Sequence, residues 1–371
     1  MENSFLTKTN ILEATSYIPG RSKIGSNLDD DIDQNFINLS SNTNILGPSP
    51  KVIEAIKKEI TKIQHYPDPD AKNFKEIIST KLNIDIGNIL VGNGSAELID
   101  VTNRALIKEG DEIILGYPTF PKYEISAKVH SANINSIPML NYEHNLDKIS
   151  SSISKTTKVI YLDNPSNPVG SVKSKKEILN FIDKIPDGTI LVIDEAYLEF
   201  YDPKNQLNYS KLVKKENILI MRTLSKAYGI AGLRIGYLIG NSNLISYLNK
   251  VREVFNVNSL ALVGGIAAIK DEDHLMENLV LTHHQKKYLC KNLEQHNFCF
   301  HKSTTNFIFI NTERDIEFVD KFLLKQGIII RPIRLNNCKS GHIRVTIGKP
   351  AENKYLIESL LKMKKAIPVI N

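Results

Sequence analysis

The segment TILVIDEAY, residues 189–197, decides the fold because an unbroken apolar run ends there in a carboxylate. A strand made only of apolar residues is buried on both faces, which is typical of a parallel sheet covered by helices. Similar short runs alternate with amphipathic segments along the chain. They lie at residues 89–91, 112–115, 159–162, 218–221 and 235–239. This pattern predicts an α/β architecture with a largely parallel sheet.

The pattern changes in the last third of the chain. A helical segment is followed by apolar runs at residues 307–310, 328–330 and 342–347, which indicates a smaller α+β domain. The beginning of the chain is polar and weakly periodic and is predicted to form an arm. The expected division is an N-terminal arm at residues 1–46, a large domain at 47–255, and a small C-terminal domain at 256–371 that packs with the arm.

Composition narrows the classes of partner. A chain of 371 residues with 42% hydrophobic content is long enough for a full core and two domains. The net charge of +6 comes without a basic cluster that has interleaved aromatic residues, so we expect no nucleic-acid partner. No apolar stretch reaches membrane-spanning length, so we expect no membrane partner.

The three cysteines indicate a reducing compartment. Cys290, Cys299 and Cys338 are too few and too scattered for a disulfide framework or a metal-ligand spacing. We therefore expect a cytoplasmic protein with no metal site.

A carboxylate stands at the end of the run quoted above, where Asp194 follows Ile193. Ligands of open α/β sheets gather at the carboxyl ends of the strands. A carboxylate that is buried there costs free energy unless it meets a cation. We expect a positive partner for Asp194, although a helix cap or a surface salt bridge would also explain this residue.

Three further strand ends carry residues suited to a ligand. A glycine-bearing turn at residues 92–97 leads into a helix, whose free N–H groups suit an anion, with Ser95 adding a hydroxyl. An aromatic turn at residues 117–120 offers a ring for stacking. Two Asn-Pro dipeptides at residues 164–168 aim amide side chains. Each feature alone also fits ordinary capping, core packing or a turn.

The last strand end is TLSKAYGIAGLRIGY, residues 223–237, which sets Lys226 among small and apolar neighbours. A lysine by itself is most often a solvated surface residue. Ser225 and Arg234, however, are residue types that hold a phosphate. Pyridoxal phosphate matches the whole set of strand ends, because it has an aldehyde for a lysine, a ring nitrogen for an acid, a phenolic oxygen and a phosphate.

These residues carry a family resemblance over nearly the whole chain. The chain resembles fold-type-I pyridoxal-phosphate-dependent aminotransferases and, within that class, is most similar to histidinol-phosphate aminotransferases. The matching motifs lie at residues 17–20, 39–44, 47–50, 65–67, 92–97, 117–120, 164–168, 194–197, 223–237, 255–258, 327–331 and 344–348. The resemblance implies the fold-type-I transferase architecture and pyridoxal 5'-phosphate as cofactor.

The resemblance also implies roles at the cofactor ring. Lys226 would bind the cofactor covalently and move a proton of the substrate. Asp194 would keep the ring nitrogen protonated. Tyr197 and Asn167 would hydrogen-bond the phenolic oxygen, and Phe120 would stack on the ring.

At the two ends of the ligand the implied residues are polar or charged. The residues expected at the cofactor phosphate are Gly94, Ser95, Thr223, Ser225 and Arg234, joined by Tyr66 of a neighbouring subunit in a homodimer. The residues expected at the substrate are Arg344 on its acidic group, Arg331 on the phosphate side, and Tyr17 from the arm.

Two departures from the histidinol-phosphate aminotransferase pattern concern the substrate. Residues 42–45 read NTNI instead of the usual NENP, and residues 167–170 read NPVG instead of NPTG. Losing the glutamate would change the pocket for the amine, while the cofactor contacts are intact.

Four functions therefore compete. The first is transfer of an amino group between L-histidinol phosphate and 2-oxoglutarate, an amine donor and a 2-oxo acid acceptor. The second is an aminotransferase for another phosphorylated amine or ketone, and the third is a threonine-phosphate-type decarboxylase. The fourth, a non-catalytic effector domain, is disfavoured because nothing before Pro48 resembles a helix-turn-helix.

Overall fold

A computed structural model describes residues 10–11, 16, 36–335 and 341–366. In chain order its helices are α1 (Pro50–Glu59), α2 (Lys72–Leu82), α3 (Ser95–Leu106), α4 (Pro121–Val129), α5 (Leu146–Ser151), α6 (Lys175–Ile182), α7 (Tyr209–Leu212), α8 (Ser242–Val251), α9 (Ser259–Lys270), α10 (Glu272–Gln295), α11 (Ile316–Lys325) and α12 (Pro350–Lys365). The strands are β1 (Ile37–Asn38), β2 (Ile89–Gly92), β3 (Glu112–Tyr117), β4 (Asn133–Pro138), β5 (Thr157–Asp163), β6 (Ile190–Asp194), β7 (Ile218–Thr223), β8 (Gly236–Gly240), β9 (Cys299–His301), β10 (Phe307–Asn311), β11 (Ile328–Ile329), β12 (Arg331–Ile333) and β13 (His342–Thr346).

The central sheet has seven strands within the described residues, in the order β2-β8-β7-β6-β5-β3-β4. All neighbouring pairs are parallel except those of β8, which runs antiparallel to β2 and to β7. The predicted α/β architecture with a largely parallel sheet is confirmed. The edge strand β4 was not predicted, because its polar residues are mostly exposed and lack an apolar run.

Burial on both faces explains the apolar strands. In β6, Leu191 and Ile193 face one hydrophobic cluster, while Val192 between them faces another. Successive side chains of a strand point to opposite faces, so a strand covered on both sides must be apolar at every position. This places the first polar residue, Asp194, at the point where the strand leaves the core.

A second, smaller sheet follows in the chain. Its order is β12-β13-β10-β9, and all of its neighbouring pairs are antiparallel. It has its own hydrophobic cluster, to which α10 contributes Leu289 and Leu293 and α12 contributes Leu356 and Leu360.

Contacts link segments that the sequence assigned to different domains. β1, from the predicted arm, pairs in parallel with β11. Beyond residue 255, α9 packs on α1 and α2 and shares the core of the central sheet. The division of the chain at residues 46 and 255 stays a prediction.

No helix in the described part of the chain is both long enough and apolar enough to cross a bilayer.

A buried arginine links the ends of β6 and β7 on the side of the sheet opposite Asp194. Arg222 donates to Glu199 Oε1 at 2.5 Å and to the Tyr209 hydroxyl at 3.1 Å. Tyr209 donates in turn to Glu195 Oε2 at 2.6 Å. The side chains of Arg222 and Glu199 are each only 8% exposed, so water cannot replace the guanidinium as the partner of these carboxylates.

Arg222→Met is expected to lower the free energy of unfolding by about 3–5 kcal/mol, because it leaves two buried carboxylates without a cation. Burial already raises the pKa of Glu195 to about 7, and losing Arg222 raises this pKa further. The parent releases this proton near pH 7 while the variant still holds it, so the deficit should grow as the pH rises above about 7. Urea unfolding followed by circular dichroism measures it, since the chain has no tryptophan.

The exposed pair of Arg104 and Glu253 is the matched control, with a separation of 2.9 Å and side chains 36% and 72% exposed. Arg104→Met should change the free energy of unfolding by less than about 1 kcal/mol. Equal losses from the two substitutions would contradict the importance of the buried pair.

Candidate active site

A cavity of about 500 Å³ lies at the carboxyl ends of the central strands. All five strand ends that the sequence pointed to contribute to its wall, together with residues 40–42 before α1 and residues of the small sheet. The central sheet and the small sheet therefore both reach the same space.

Lys226 reaches this cavity from the loop after β7. Its Nζ donates to the carbonyl of Ser41 at 3.1 Å and lies 5.8 Å from the ring centroid of Tyr197. Burial lowers the pKa of Lys226 to about 7, and the guanidinium groups of Arg344 and Arg234 act in the same direction. A large fraction of this amine is therefore uncharged at neutral pH, which is the form that attacks an aldehyde.

Asp194 ends β6 and is 5% exposed. Its Oδ2 accepts from the Tyr123 hydroxyl at 2.5 Å and its Oδ1 from the backbone N–H of Ala196 at 3.0 Å. Burial raises the pKa of Asp194 to about 7, and the carboxylate of Asp163 acts in the same direction. Neither of these contacts is a cation, so the positive partner expected for Asp194 stays a prediction, and a cation brought into the cavity would offset the cost of burial.

Tyr197 and Asn167 lie on opposite sides of this acid in the chain and line the same cavity. The Tyr197 hydroxyl accepts from Asn42 Nδ2 at 2.8 Å. Burial raises the pKa of Tyr197 to about 12, so the phenol keeps its proton and has it available to donate. Asn167 is oriented by its own contacts, since its Oδ1 accepts from Arg344 Nη1 at 2.6 Å.

The predicted phosphate residues meet at the N-terminus of α3. Ser95 begins this helix and lines the cavity with Thr223, Ser225 and Arg234. Thr223 Oγ1 donates to Ser225 Oγ at 2.9 Å. Gly94 has a φ of +77°, and a Cβ there would collide with the guanidinium of Arg234, so this position requires glycine. Free helix N–H groups, hydroxyls and a guanidinium form a seat for a phosphate.

Phe120 is the N-cap residue of α4 and lines the cavity. Its ring meets that of Tyr123 edge to face, with centroids 5.6 Å apart. Phe120 is thus available for stacking, and Tyr123 in the first turn of the helix supplies the hydroxyl that donates to Asp194.

The predicted substrate arginines come from the small sheet. Arg331 on β12 and Arg344 on β13 are directly paired in the sheet register, and both line the cavity. Arg344 is fixed by a second contact, from Nη2 to the carbonyl of Ser40 at 2.6 Å.

The predicted Tyr66 is not brought to the cavity of its own chain. Tyr66 is 82% exposed and stacks on Phe255, with ring centroids 4.6 Å apart, outside the cavity. Tyr17 lies outside the described residues.

Several residues of the site had no predicted role. Tyr123 and Asn42 donate hydrogen bonds to Asp194 and Tyr197, and Asp163 accepts from the backbone N–H of Asn167. Asp163 is paired with Asp194 in the sheet register, each as the last residue of its strand. That shared position is readable from the sequence, whereas the contacts of Tyr123 and Asn42 depend on the tertiary fold.

The donor set fits pyridoxal phosphate. The cavity offers an amine whose pKa is lowered, a buried acid for a ring nitrogen, a phenol and an amide for a phenolic oxygen, and a cationic seat for a phosphate. At residue 94 the guanidinium of Arg234 lies directly against the backbone, in the space that a side chain would fill.

Comparisons with known proteins agree with this fit. The family model "Aminotransferase class I and II" matches residues 34–360. Histidinol-phosphate aminotransferase 2 of Carboxydothermus hydrogenoformans is 38% identical over 88% of this chain and 90% of its own length. The histidinol-phosphate aminotransferase of Staphylococcus carnosus is 36% identical over 95% of this chain and 98% of its own.

A solved structure adds the cofactor to this likeness. The crystal structure of histidinol-phosphate aminotransferase from Sinorhizobium meliloti in complex with pyridoxal-5'-phosphate has a TM-score of 0.84 at 25% identity, covering 88% of this chain and 90% of that one. The resemblance noted in the sequence, the fold type and the cofactor are confirmed. The chain belongs to the aminotransferase class I and II family, and as a pyridoxal-phosphate-dependent aminotransferase it moves an amino group between a donor amine and a 2-oxo acid acceptor.

Proposed function

We propose that this aminotransferase exchanges the amino group between L-histidinol phosphate and 2-oxoglutarate, in histidine biosynthesis. The observation that carries the proposal is the pair of arginines, Arg331 and Arg344, that faces the cavity of Lys226. Two guanidinium groups suit the phosphate of one substrate and the carboxylates of the other. The substrate named in the curated relatives supports the same choice. The cytoplasmic location that we propose rests on the scattered cysteines.

The cofactor would be held at both of its ends by this chain. Ser95, Ser225, Arg234 and the first N–H groups of α3 would bind its phosphate, while Asp194 would hold the proton of its ring nitrogen. When bound, pyridoxal phosphate supplies an electron sink for the negative charge that develops on the substrate carbon.

Lys226 would move the proton of the reaction. A base works best when its pKa lies near the working pH, and burial has brought the pKa of Lys226 to about 7. Its amine would accept the proton from the substrate carbon and return it on the other side of the exchange. The carbonyl of Ser41, 3.1 Å from Nζ, orients the amine.

Tyr197 and Asn167 would act on the phenolic oxygen of the cofactor. Because the Tyr197 hydroxyl accepts from Asn42, its own proton is directed away from Asn42 and is available to another acceptor. Asn167 keeps its amide N–H₂ free to donate, since its oxygen is used by Arg344.

The substituted loop at residues 42–45 lies partly away from the site. Thr43, which stands where histidinol-phosphate aminotransferases usually carry glutamate, is exposed and does not line the cavity described above. Asn42 is buried and holds Tyr197. The departure therefore leaves the contact between Asn42 and Tyr197 intact, and the expected change of the amine pocket at residue 43 stays a prediction.

A screen of single half-reactions, amine by amine, tests the substrate. Holoenzyme mixed with L-histidinol phosphate should convert its cofactor to the pyridoxamine form, and 2-oxoglutarate should restore the original absorbance, because Arg331 and Arg344 bind the acidic groups of both. Steady-state assays should then give a kcat/KM above about 10⁴ M⁻¹s⁻¹.

Two results would contradict the substrate. One is absence of turnover with histidinol phosphate alongside brisk turnover of another phosphorylated or aromatic amine. The other is release of carbon dioxide from an O-phospho amino acid without formation of pyridoxamine phosphate, which would make the enzyme a decarboxylase.

Lys226→Ala is expected to lower transamination by about 10⁴-fold or more, because it removes both the covalent attachment and the proton carrier. The far-ultraviolet circular dichroism should not change. Borohydride reduction of the parent enzyme followed by peptide mapping should place a pyridoxyl group on Lys226.

Lys286 provides the matched control. It lies on α10 away from the cavity, and burial lowers its pKa to about 8, so it is a second lysine with a perturbed amine. Lys286→Ala should keep activity within about threefold of the parent, since it touches neither substrate nor cofactor. Activity of Lys226→Ala within tenfold of the parent would refute the assignment of the lysine.

We also propose that the enzyme works as a homodimer in which Tyr66 reaches the cofactor phosphate of the second copy. Tyr66 is outside the cavity of its own chain and 82% exposed. Exposed apolar side chains lie on α1 and in the segment between α1 and Tyr66. These residues are Ile53, Ile60 and Ile63. A face of this kind is typical of an interface with another protein, and a second copy would bring Tyr66 to the site.

Complementation tests this sharing of the site. Lys226→Ala and Tyr66→Ala chains, coexpressed with different tags, should form hybrids with one fully intact site, made of one chain's Lys226 and the other's Tyr66. Random pairing makes half of the dimers hybrids, so the mixture should recover about a quarter of the parent activity. Activity equal to the mean of the two separate variants would rule out a shared site.

A further inference from the structure

We propose that Asp163, oriented by His144, is a positioning residue of this enzyme that joins the two loops facing the cofactor ring and adds a second negative charge behind Asp194. The proposal rests on the cofactor site proposed above and does not depend on which amine is the substrate.

His144 and Asp163 form a buried pair at the wall of the cavity. His144 Nε2 lies 2.7 Å from Asp163 Oδ1 and 3.1 Å from the Asp163 carbonyl, so this nitrogen carries the proton and donates. Their side chains are 2% and 4% exposed. His144 belongs to the segment between β4 and α5, while Asp163 ends β5 and lines the cavity.

The fold gives up stability to keep an imidazole at this place. His144 Nδ1 is buried and has no hydrogen-bond partner among the described residues. A Cβ on Gly116 would collide with this ring, so β3 leaves room for it through a glycine. A buried nitrogen without a partner is unfavourable, and an apolar ring would avoid that cost. The contact with Asp163 is what the histidine adds.

Asp163 connects two loops of the site. Its Oδ1 accepts from Thr119 Oγ1 at 3.0 Å, in the loop that carries Phe120. Its Oδ2 accepts from the backbone N–H of Asn167 at 2.7 Å. Asn167 in turn accepts from Arg344. The stacking ring and the amide at the phenolic oxygen are thus fixed relative to one carboxylate.

The charge of Asp163 acts on the same site. Asp163 and Asp194 are partners in the register of β5 and β6, and neighbouring strands lie about 4.8 Å apart. A cationic ring nitrogen placed against Asp194 is therefore attracted by two carboxylates instead of one. His144 orients the second carboxylate through its Nε2 donor.

His144→Phe tests the pair, because it keeps a ring in the space and removes the donor. Titration of the apoprotein with pyridoxal phosphate should show a Kd about tenfold higher than that of the parent, with an altered visible circular dichroism of the bound cofactor. His144→Gln, whose amide nitrogen donates as Nε2 does, should recover most of the affinity and the parent spectrum.

His130→Phe is the matched control. His130 Nε2 lies 3.1 Å from Asp100 Oδ1, but the side chains are 19% and 38% exposed and neither residue lines the cavity. This substitution should leave both the Kd and the visible spectrum at the parent values.

A Kd and spectrum of His144→Phe equal to those of the parent would overturn the proposal, as would failure of His144→Gln to improve on His144→Phe. If His144→Phe does not fold, the same titration is done with Asp163→Asn. An unchanged Kd of that variant would contradict the proposal. Failure of the parent apoprotein to bind the cofactor would instead refute the cofactor site itself, and inactivity toward histidinol phosphate would leave both standing.

Discussion

The site is built around a carboxylate that the fold buries without giving it a full positive partner. Asp194 comes at the end of a strand whose neighbours bury it, and its hydrogen bonds come from a phenol and a backbone N–H. Burial pushes the pKa of Asp194 up and that of Lys226 down, so both groups are driven toward their neutral forms. A ligand with a cationic ring nitrogen and an aldehyde carbon would pair with the carboxylate of Asp194 and react with the amine of Lys226. One ligand would therefore offset the cost of burying both groups. This complementarity explains why the two residues occupy adjacent strand ends.

Much of this arrangement is readable from the sequence. Apolar runs locate β5, β6 and β7, and the polar residues that follow them locate the cavity, because parallel strands end at one edge of the sheet. The orientation of β8 is not readable, since an antiparallel strand buried on both faces has the same apolar pattern. The edge strand β4 is not recognisable in the sequence because it has no apolar run.

The contacts that orient the catalytic groups are harder to predict than the groups. Asn42 holds Tyr197 from 155 positions earlier in the chain, and Arg344 holds Asn167 from 177 positions later. Nothing in local spacing or periodicity marks such pairs. The segment before α1 shows how many of them one stretch can make, since β1 pairs with β11 while Ser41 and Asn42 contact Lys226 and Tyr197. The same segment ties the small sheet to the lysine, because Arg344 of β13 donates to the carbonyl of Ser40.

The two sheets place fixed side chains at different positions around the same cavity. The central sheet supplies the amine of Lys226, and the small sheet supplies two arginines in register, one of them held by Asn167 and by the carbonyl of Ser40. Lys226 and Arg344 are each held in place by hydrogen bonds. In the proposed reaction, the distance from Lys226 to these arginines would therefore set the length of substrate that fits, from its amino nitrogen to its anionic end, and a shift of one sheet relative to the other would favour amines of a different length.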